Sequence, residues 1–309
     1  MPSSTTLDCR LLCASNVADE IHIKTGFKQN PCYFNPVGFL PPPPPPTPPP
    51  TIIVGGIDKI DACLVGTSKD GVILSFRGTL MPKLTWPSIL DWLQDFMAIP
   101  VPIHGLPGKV HPGFYAAVKS IWNPMLAEVK KQTAGGSPLI ITGHSKGAAM
   151  ATLASIMLHE AGITAQTVTT FACPNTGDAE FAAAYKKLFK QTTYVNHLDL
   201  IPFMPPSPWL ARQMEQIPQI GFLFKYFEKY GYHSASDHGI YIKADGSTLS
   251  QANPLSGYSL AILGDLMDIQ KTAKLKGGLA KILGAHLPSC GGGYMKGVCG
   301  NTVCGSKDC

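Results

Sequence analysis

The amino-acid sequence predicts an α/β fold, with a mostly parallel central sheet and helices on both faces. From residue 51 onward, short β-branched apolar segments alternate with helical segments, the pattern that parallel sheets require. One such segment, 139–142, leads directly into a Gly-x-Ser-x-Gly pentad at 143–147 and then into an alanine-rich run over 148–160. The chain has 309 residues, of which 45% are hydrophobic and 15% charged, enough to bury one large core.

The individual elements follow from apolar periodicity and from glycine and proline punctuation. We expect Pro124 to kink or break the second helix and Gly277-Gly278 to break the last one. In the first helix, we expect Asp19 and Glu20 to face solvent. The predicted strands are 51–54, 61–67, 71–76, 139–142, 167–172, 192–195 and 240–243, and the predicted helices are 6–23, 114–132, 148–160, 178–190 and 259–285.

The domain prediction is a single domain over 1–309, with a catalytic core at about 52–245. Residues 41–50 contain nine prolines and can only form polyproline II. We interpret this run as a stiff strap, the alternative being a docking site for a partner with an aromatic groove. Residues 286–309 form a cysteine-rich C-terminal tail.

The nine cysteines cluster at the two ends of the chain, which favours disulfides that pin the termini. A zinc site is the rival interpretation, although no Cys-x-x-Cys pair occurs. Cys63 and Cys173 fall in strand-like segments and are predicted to be plain core residues. Disulfides favour a secreted protein, whereas the first residues lack signal-peptide features.

Two function classes find little support in the composition. The net charge of +5 is mild and the lysines are scattered, which argues against a nucleic-acid partner. No apolar run approaches the roughly 20 residues that a membrane-spanning helix needs.

The pentad predicts a nucleophile elbow with Ser145 at its tip. A strand, a tight turn and a helix are the context in which a serine hydroxyl is pushed out of a sheet. Gly143 and Gly147 flank the serine because a β-carbon there would collide with the crossing strand and helix.

A serine hydroxyl needs a base, usually an imidazole held by a carboxylate. On this kind of elbow the partners follow in the order serine, acid, histidine. Asp199 comes just after a predicted strand and is the preferred acid, with Asp178 as the runner-up. We predict His238 as the base. His233 is the alternative, and His286 is the remote third choice.

Acyl transfer also needs hydrogen-bond donors for the developing oxyanion. One is the backbone N–H of Lys146, the residue after the nucleophile. The other is expected from Thr79, because the strand at 71–76 ends there and turns at Gly78.

Several motifs occur in one order and together resemble the class 3 lipases, the family of the filamentous-fungal triacylglycerol lipases. The resemblance covers about residues 52 to 245 and implies an α/β-hydrolase fold, a serine triad and hydrolysis of carboxylic esters, typically acylglycerols, without a cofactor. It also implies that His111 and His144 are structural. The motifs are Phe76-Arg-Gly-Thr79, Asp91-Trp-Leu-x-Asp95, Lys109-Val-His-Pro-Gly-Phe114, Gly143-His-Ser-x-Gly147, Val195-Asn-x-x-Asp-x-Ile-Pro202 and Asp237-His238.

Three features qualify the resemblance. Lys146 stands where the fungal lipases usually carry leucine. Residues 80–96, which follow the oxyanion loop, are expected to form an apolar lid that opens on lipid, as in many family members. The apolar stretch 203–232 could cap the acyl site or cover the sheet edge.

The sequence leaves three functions open. An acylglycerol lipase that forms an acyl-enzyme on Ser145 is the first. The second is an esterase for short-chain or feruloyl-type esters, which would use the same triad. The third is a non-catalytic interaction module on the same fold, which the retained triad residues argue against.

Overall fold

The computed structural model describes residues 6–19, 21–22, 26–27, 50–79, 98–215, 222, 225, 231–251, 257–288 and 293–300. The polyproline residues 41–49 and the lid-like segment 80–96 lie outside these residues, as do Glu20, Cys32 and Cys290. Their predicted roles therefore stay predictions.

Fourteen strands occur within the described residues. They are β1 (Ile21–His22), β2 (Gly26–Phe27), β3 (Thr51–Gly55), β4 (Asp61–Ser68), β5 (Gly71–Phe76), β6 (Val101–Pro102), β7 (Lys109–Val110), β8 (Leu139–His144), β9 (Thr167–Phe171), β10 (Gly177–Asp178), β11 (Gln191–Asn196), β12 (Tyr232–His233), β13 (His238–Ile242) and β14 (Thr248–Ser250).

Eight of these strands form the central sheet, in the order β14-β13-β11-β9-β8-β5-β4-β3. The five consecutive strands from β5 to β13 are parallel, and β3, β4 and β14 pair antiparallel with their neighbours. Because parallel strands end at the same edge, the residues that follow β5, β8, β9 and β11 can converge there. The predicted mostly parallel sheet is confirmed.

The helices of the described residues cover both faces of this sheet. They are α1 (Leu7–Asp19), α2 (Pro112–Thr133), α3 (Lys146–Glu160), α4 (Ala179–Leu188), α5 (Pro208–Met214), α6 (Gly257–Ala273), α7 (Gly278–His286) and α8 (Gly293–Cys299). Side chains of β8 alternate between two cores: Ile141 packs with α2, α3 and α4, and Ile140 packs with α1 and α8.

Two predictions about helix interruption have different outcomes. The break at Gly277-Gly278 is confirmed, because Gly277 has φ +75° and α7 begins at Gly278. Pro124 does not break its helix, because α2 runs from Pro112 to Thr133 through this proline. None of the described helices is long and apolar enough to cross a membrane.

The N-terminal helix is buried far more than its sequence suggests. Residues from Cys9 to Ala18 are all buried, because α1 lies on β5, β8 and β9 and is covered from outside by α8. The prediction that Asp19 faces solvent holds only in part: its side chain is 29% exposed, and its carboxylate accepts a hydrogen bond from the Gly78 backbone N–H at 2.6 Å. A polar terminus of a buried helix must find partners inside the protein.

The predicted pinning of the chain ends is confirmed by a disulfide between Cys9 and Cys299, which joins α1 to α8. Cys13 is disulfide-bonded too, which leaves these sulfurs no role as zinc ligands. Cys63 and Cys173 are free thiols, as expected, and burial raises the pKa of Cys173 to about 11. Cys63 is a buried core residue, whereas Cys173 is half-buried and lies just after β9.

Candidate active site

The pentad forms a sharp turn between β8 and α3. Ser145 is the N-cap of α3 and has φ +57°, a conformation that non-glycine residues rarely adopt. A β-carbon on Gly143 would collide with the backbone of Gly147, and one on Gly147 with the carbonyl of Phe76. The two glycines thus allow the close packing that holds the serine in this strained position.

Ser145 lies in hydrogen-bond contact with His286, the last residue of α7. The distance from Ser145 Oγ to His286 Nε2 is 2.7 Å. On the other side of the ring, His286 Nδ1 lies 3.0 Å from each carboxylate oxygen of Asp199. Because Nδ1 faces a carboxylate, the neutral ring carries its proton there and presents the Nε2 lone pair to the serine hydroxyl.

Asp199 follows β11, as the sequence predicted, and is completely buried. Its Oδ1 accepts the backbone N–H of Ile201 at 2.9 Å. Its Oδ2 accepts a hydrogen bond from the hydroxyl of Tyr294 on α8. These donors satisfy the carboxylate and fix its orientation toward the imidazole.

His286 is also held from behind. Its backbone carbonyl lies 2.8 Å from His144 Nε2, and the carbonyl of the preceding residue, Ala285, accepts the side-chain amide of Asn196 at 2.8 Å. Burial lowers the pKa of His286 below its ordinary value of 6.5, against the opposing charge of Asp199. At neutral pH the ring is therefore a neutral proton acceptor.

The prediction of His238 as the partner of Ser145 is wrong. His238 is the first residue of β13, is exposed, and pairs in register with Thr192. Since β13 lies three strands away from β8, about 14 Å separates the two strands across the sheet. A base for Ser145 has to reach the carboxyl edge of the parallel strands, whereas His238 lies where β13 begins, at the opposite edge.

Of the alternatives named from the sequence, His286 reaches the serine, but His233 and Asp178 do not. His233 is in β12 of a separate small sheet, whose order is β12-β10-β7-β6. Asp178 is the N-cap of α4 and accepts the N–H of Phe181 at 2.9 Å, which explains its position at a helix start.

His286 ranks last among the three histidines that the sequence offers as the base, and Tyr294 is not predicted at all, because both lie beyond residue 245, the expected end of the catalytic core. The order rule had kept His286 open, and its place at the end of an apolar helix followed by Pro288 was the available signal. The cysteine-rich tail was a second signal, since the disulfide at Cys299 shows that the C-terminus returns to the body.

The loop after β5 packs against the elbow. A β-carbon on Gly78 would lie 3.5 Å from Ser145 Cβ and 3.0 Å from the His144 carbonyl oxygen. Thr79, half-buried, follows directly, so this predicted donor lies on a loop that touches the nucleophile. The Asp19 carboxylate anchors the loop through the Gly78 N–H and lies 3.6 Å from His144 Nδ1.

Arg77, at the start of the same loop, is buried and binds backbone carbonyls. Its guanidinium donates to the carbonyls of Ile21, Lys59 and Ile60. Burial lowers the pKa of Arg77, while the charges of Asp19 and Asp61 oppose that shift. The loop is thereby tied to the N-terminal segment and to the turn between β3 and β4.

Lys146 follows the serine, and its side chain turns away to a carboxylate. Lys146 Nζ lies 2.7 Å from Asp61 Oδ1, with side-chain exposures of 16% and 8%. The hydroxyl of Ser120 donates to Asp61 Oδ2 at 2.9 Å. The ion pair involves only the side chain of Lys146. Its backbone N–H lies in the first turn of α3, where helix N–H groups have no intrahelical acceptor and can donate to another group.

His111, which the resemblance marked as structural, is the N-cap of α2, where its Nδ1 accepts the N–H of Phe114 at 3.3 Å. Among the described residues, the one group of three or more His, Cys or acidic side chains placed closely enough to hold a metal ion is Cys9, Cys13 and Cys299, which are disulfide cysteines. The site therefore offers a hydroxyl, a neutral imidazole and a buried carboxylate in line, the set that transfers acyl groups.

The chain is similar to known lipases. A model of the class 3 lipase family matches residues 73–209, a span that includes Ser145 and Asp199 and ends before His286. The lipase of Rhizomucor miehei is 29% identical over 154 residues, which cover 46% of this chain and 39% of that protein. The secreted mono- and diacylglycerol lipase 3 of Gibberella zeae is 30% identical over 187 residues, or 57% of this chain and 58% of the relative. The matches thus span little more than half of these relatives at most.

A solved structure extends the likeness of fold over most of the chain. It is that of a triacylglycerol lipase whose catalytic centre is described as a serine protease triad. The match covers 83% of this chain and 88% of that one, with a TM-score of 0.58 and 19% identity. At this identity the likeness concerns the fold, and the fold is that of the α/β-hydrolases.

Proposed function

The chain belongs to the class 3 lipase family, and from this premise we propose that it is a serine hydrolase that cleaves the carboxylic esters of acylglycerols. The observation that carries the proposal is the line of hydrogen bonds from Ser145 Oγ through His286 to Asp199. We propose Ser145 as the nucleophile, His286 as the general base and Asp199 as the acid that orients it.

The proposed reaction begins when His286 Nε2 takes the hydroxyl proton of Ser145 as Oγ attacks the ester carbonyl carbon. The imidazole is suited to this step because burial keeps it neutral beforehand. Once it is protonated, the buried Asp199 carboxylate stabilises the imidazolium, and the Tyr294 hydroxyl holds that carboxylate in place.

In the tetrahedral intermediate the former carbonyl oxygen carries a negative charge. We propose that the backbone N–H of Lys146 and Thr79, through its backbone N–H or hydroxyl, donate to this oxygen. The contact between Gly78 and the elbow supports this assignment, since it brings the Thr79 loop next to Ser145. Each donor of this kind is worth about 3 kcal/mol of transition-state stabilisation.

The intermediate then collapses. His286 gives its proton to the oxygen of the departing alcohol, and the acyl group stays on Ser145 Oγ. A water molecule, deprotonated by the same imidazole, attacks the acyl carbon, and a second collapse releases the fatty acid and restores the serine hydroxyl. No redox change or cofactor is needed for either half.

Acylglycerols are the proposed substrates because relatives of the chain are named lipase and secreted mono- and diacylglycerol lipase. We place the protein in an oxidising compartment outside the cell. The Cys9–Cys299 disulfide supports this, as do relatives that are named secreted.

We also propose that the chain is one α/β-hydrolase domain. The terminal helices α1 and α8 both pack on the central sheet, and both contact the candidate site through Asp19 and Tyr294. Neither α1 nor α8 is a separate appendage, and a catalytic unit that stopped at residue 245 would lack the proposed base, His286.

The test is the initial hydrolysis rate of p-nitrophenyl esters from acetate to palmitate, with the wild type, Ser145→Ala and Ser250→Ala. Ser250 is an exposed serine at the sheet edge and serves as the matched control. We expect rates that rise toward long chains, labelling of Ser145 by a fluorophosphonate probe, and loss of both in Ser145→Ala alone.

Other outcomes would change the proposal. Activity confined to short or aromatic esters, with Ser145 still labelled, would replace the lipase by an esterase. A folded wild type that neither hydrolyses esters nor takes the label would contradict the enzyme altogether and favour the interaction module.

A further inference from the structure

A second histidine–carboxylate pair lies beside the loop that carries Asp199. Asp265 on α6 is 1% exposed, and its Oδ1 lies 3.0 Å from Nδ1 of His197. His197 precedes Asp199 by two residues, so this pair is attached to the same turn as the proposed catalytic acid. The proposed reaction does not use either side chain.

The turn itself has an unusual backbone. It runs from Asn196 to Asp199 and is closed by the hydrogen bond from the Asp199 N–H to the Asn196 carbonyl at 3.0 Å. Leu198, its third residue, has φ +66°, in the left-handed region that favours glycine. A leucine stays there only when its surroundings hold it.

Asp265 supplies that hold. Its Oδ1 accepts the backbone N–H of Leu198 at 2.8 Å, in addition to the Nδ1–H of His197. His197 is fixed further by its own backbone N–H, which donates to the carbonyl of Ile242 at 2.8 Å. Asp265 Oδ1 thus joins the backbone amide of Leu198 to the side chain of His197, the residue just before it.

The titratable groups around the His197–Asp265 pair come from α6, from β13 and from the Asn196–Asp199 turn. His197 faces Asp265 and Asp268 on α6, and Tyr241 on β13, whose hydroxyl lies 2.9 Å from His197 Nδ1. The fourth group is Asp199 itself, whose charge is felt by Asp265. Without a nearby cation, Asp265 would be a second buried negative charge beside the triad acid.

We propose that Asp265 is a positioning residue for ester hydrolysis: it holds the Asn196–Asp199 turn in its left-handed conformation, and His197 neutralises its charge so that Asp199 keeps its orientation toward His286. The inference rests on the proposed function, because it assigns Asp199 to the triad. It adds a residue of α6 that touches neither substrate nor the reacting atoms.

The hydrogen bond to Leu198 and the charge make different demands on the side chain at position 265. Asparagine has a side chain of the same length as aspartate and keeps an acceptor oxygen, but it carries no charge. Leucine keeps about the same side-chain volume and removes the acceptor. If the Asp265 side chain only filled space, leucine would preserve kcat better than asparagine. If the side chain holds the turn through its acceptor oxygen, asparagine preserves kcat better than leucine.

The experiment measures kcat and KM on a p-nitrophenyl ester for the wild type, Asp265→Asn and Asp265→Leu, with Asp245→Asn as control. Asp245 is exposed, and its carboxylate binds Ser247 in the turn after β13. For each variant, proton NMR records the low-field resonance of the His286 Nδ1–H, which reports the position of Asp199 without any turnover.

We expect Asp265→Leu to lower kcat roughly 10- to 100-fold with KM within about twofold, because the reacting groups shift but substrate contacts do not. The His286 resonance should move as well. Asp265→Asn should recover most of the lost kcat, and Asp245→Asn should match the wild type.

Two results would overturn the proposal. One is a folded Asp265→Leu variant whose kcat stays within about twofold of the wild type. The other is an equal loss of kcat in Asp265→Leu and Asp265→Asn with the His286 resonance unmoved. If Asp265→Leu does not fold, Asp265→Ala takes its place, since it also removes the acceptor of the Leu198 N–H. A His286 resonance that is displaced in Asp265→Ala and restored in Asp265→Asn supports the proposal, and a resonance unmoved in Asp265→Ala contradicts it. A wild type without ester hydrolysis would defeat the proposed function, while the resonance would still judge the positioning role.

Discussion

Two histidine–aspartate pairs flank the same loop, His286 with Asp199 and His197 with Asp265, and they differ mainly in burial. In both, the imidazole Nδ1 lies 3.0 Å from a carboxylate oxygen. The side chain of His286 is 1% exposed and that of His197 is 21% exposed. Burial lowers the pKa of His286, whereas the hydrogen bond with Asp265 raises the pKa of His197.

The comparison shows that a carboxylate partner alone does not decide what a histidine does. A fully buried ring pays the desolvation cost of a charge in full, so it stays neutral and can accept a proton from Ser145. The hydrogen bond with Asp265 raises the pKa of the less buried His197 ring, so this ring binds a proton more readily and can act as a counter-ion. One pair is thereby suited to move a proton and the other to hold a structure.

The largest difference between the two pairs should appear when the buried imidazole of His286 is removed. We expect His286→Ala to lower kcat roughly 10⁴-fold or more, because the serine then has no base. His238→Ala is the control, since this exposed histidine begins β13 and should retain wild-type kcat. Ester hydrolysis by both purified variants is the measurement, and a loss that follows His238 instead would reverse the assignment.

A smaller effect is expected at the hydroxyl that supports the buried pair. Tyr294→Phe removes the donor to Asp199 Oδ2 and the acceptor of the Asn196 N–H. We expect about 1 to 2 kcal/mol of lost stability, since a buried carboxylate oxygen loses its donor, and a fall in kcat.

Urea denaturation and ester hydrolysis check this prediction against Tyr185→Phe. Tyr185 is also fully buried, but its hydroxyl has no hydrogen-bond partner among the described residues. Its loss should leave stability and kcat nearly unchanged. Equal destabilisation by the two substitutions would mean that the Tyr294 hydroxyl contributes nothing specific to Asp199.

The contrast also explains which parts of the site could be predicted from sequence. Ser145 and Asp199 follow directly after strands, and strand ends in a parallel sheet share an edge. Local pattern was therefore enough to place both of them. The same rule should have rejected His238, which precedes its strand.

His286 and Asp265 lie on helices whose position no local pattern determines. His286 is brought to the serine by the packing of α7 and α8, and by bonds such as Asn196 Nδ2 to the Ala285 carbonyl. Asp265 reads in sequence as one more acidic residue on an amphipathic helix, and only the packing of α6 against the turn buries it. Local pattern also could not find the partner of Asp19, because the Gly78 N–H lies 59 residues further along the chain.

Stability as a function of pH should separate the two pairs by sign. Because the folded pKa of His197 lies above the ordinary 6.5, its ion pair stabilises fully below that pH and is lost as pH rises through the raised value. Because the folded pKa of His286 lies below 6.5, stability falls when pH drops under 6.5 and the unfolded chain binds the proton.

The measurement is the free energy of unfolding in urea at several pH values between about 5 and 8, for the wild type, His197→Asn and His286→Asn. The stability advantage of the wild type over His197→Asn should shrink as pH rises. Its advantage over His286→Asn should shrink as pH falls. Parallel curves for the two variants would show that the two rings titrate alike.

The smallest expected effect comes from the outer carboxylate of the half-buried pair. Asp268 is 48% exposed, pairs loosely with Lys271 at 3.7 Å, and is the weakest of the charges that raise the pKa of His197. Asp268→Asn should therefore lower the pKa of His197 by less than Asp265→Asn does, and leave kcat unchanged, since the Leu198 N–H keeps its acceptor. An NMR titration of the His197 ring proton in the three proteins measures the order. A shift in Asp268→Asn as large as that in Asp265→Asn would mean that exposed charge, rather than the buried hydrogen bond, sets the protonation of His197.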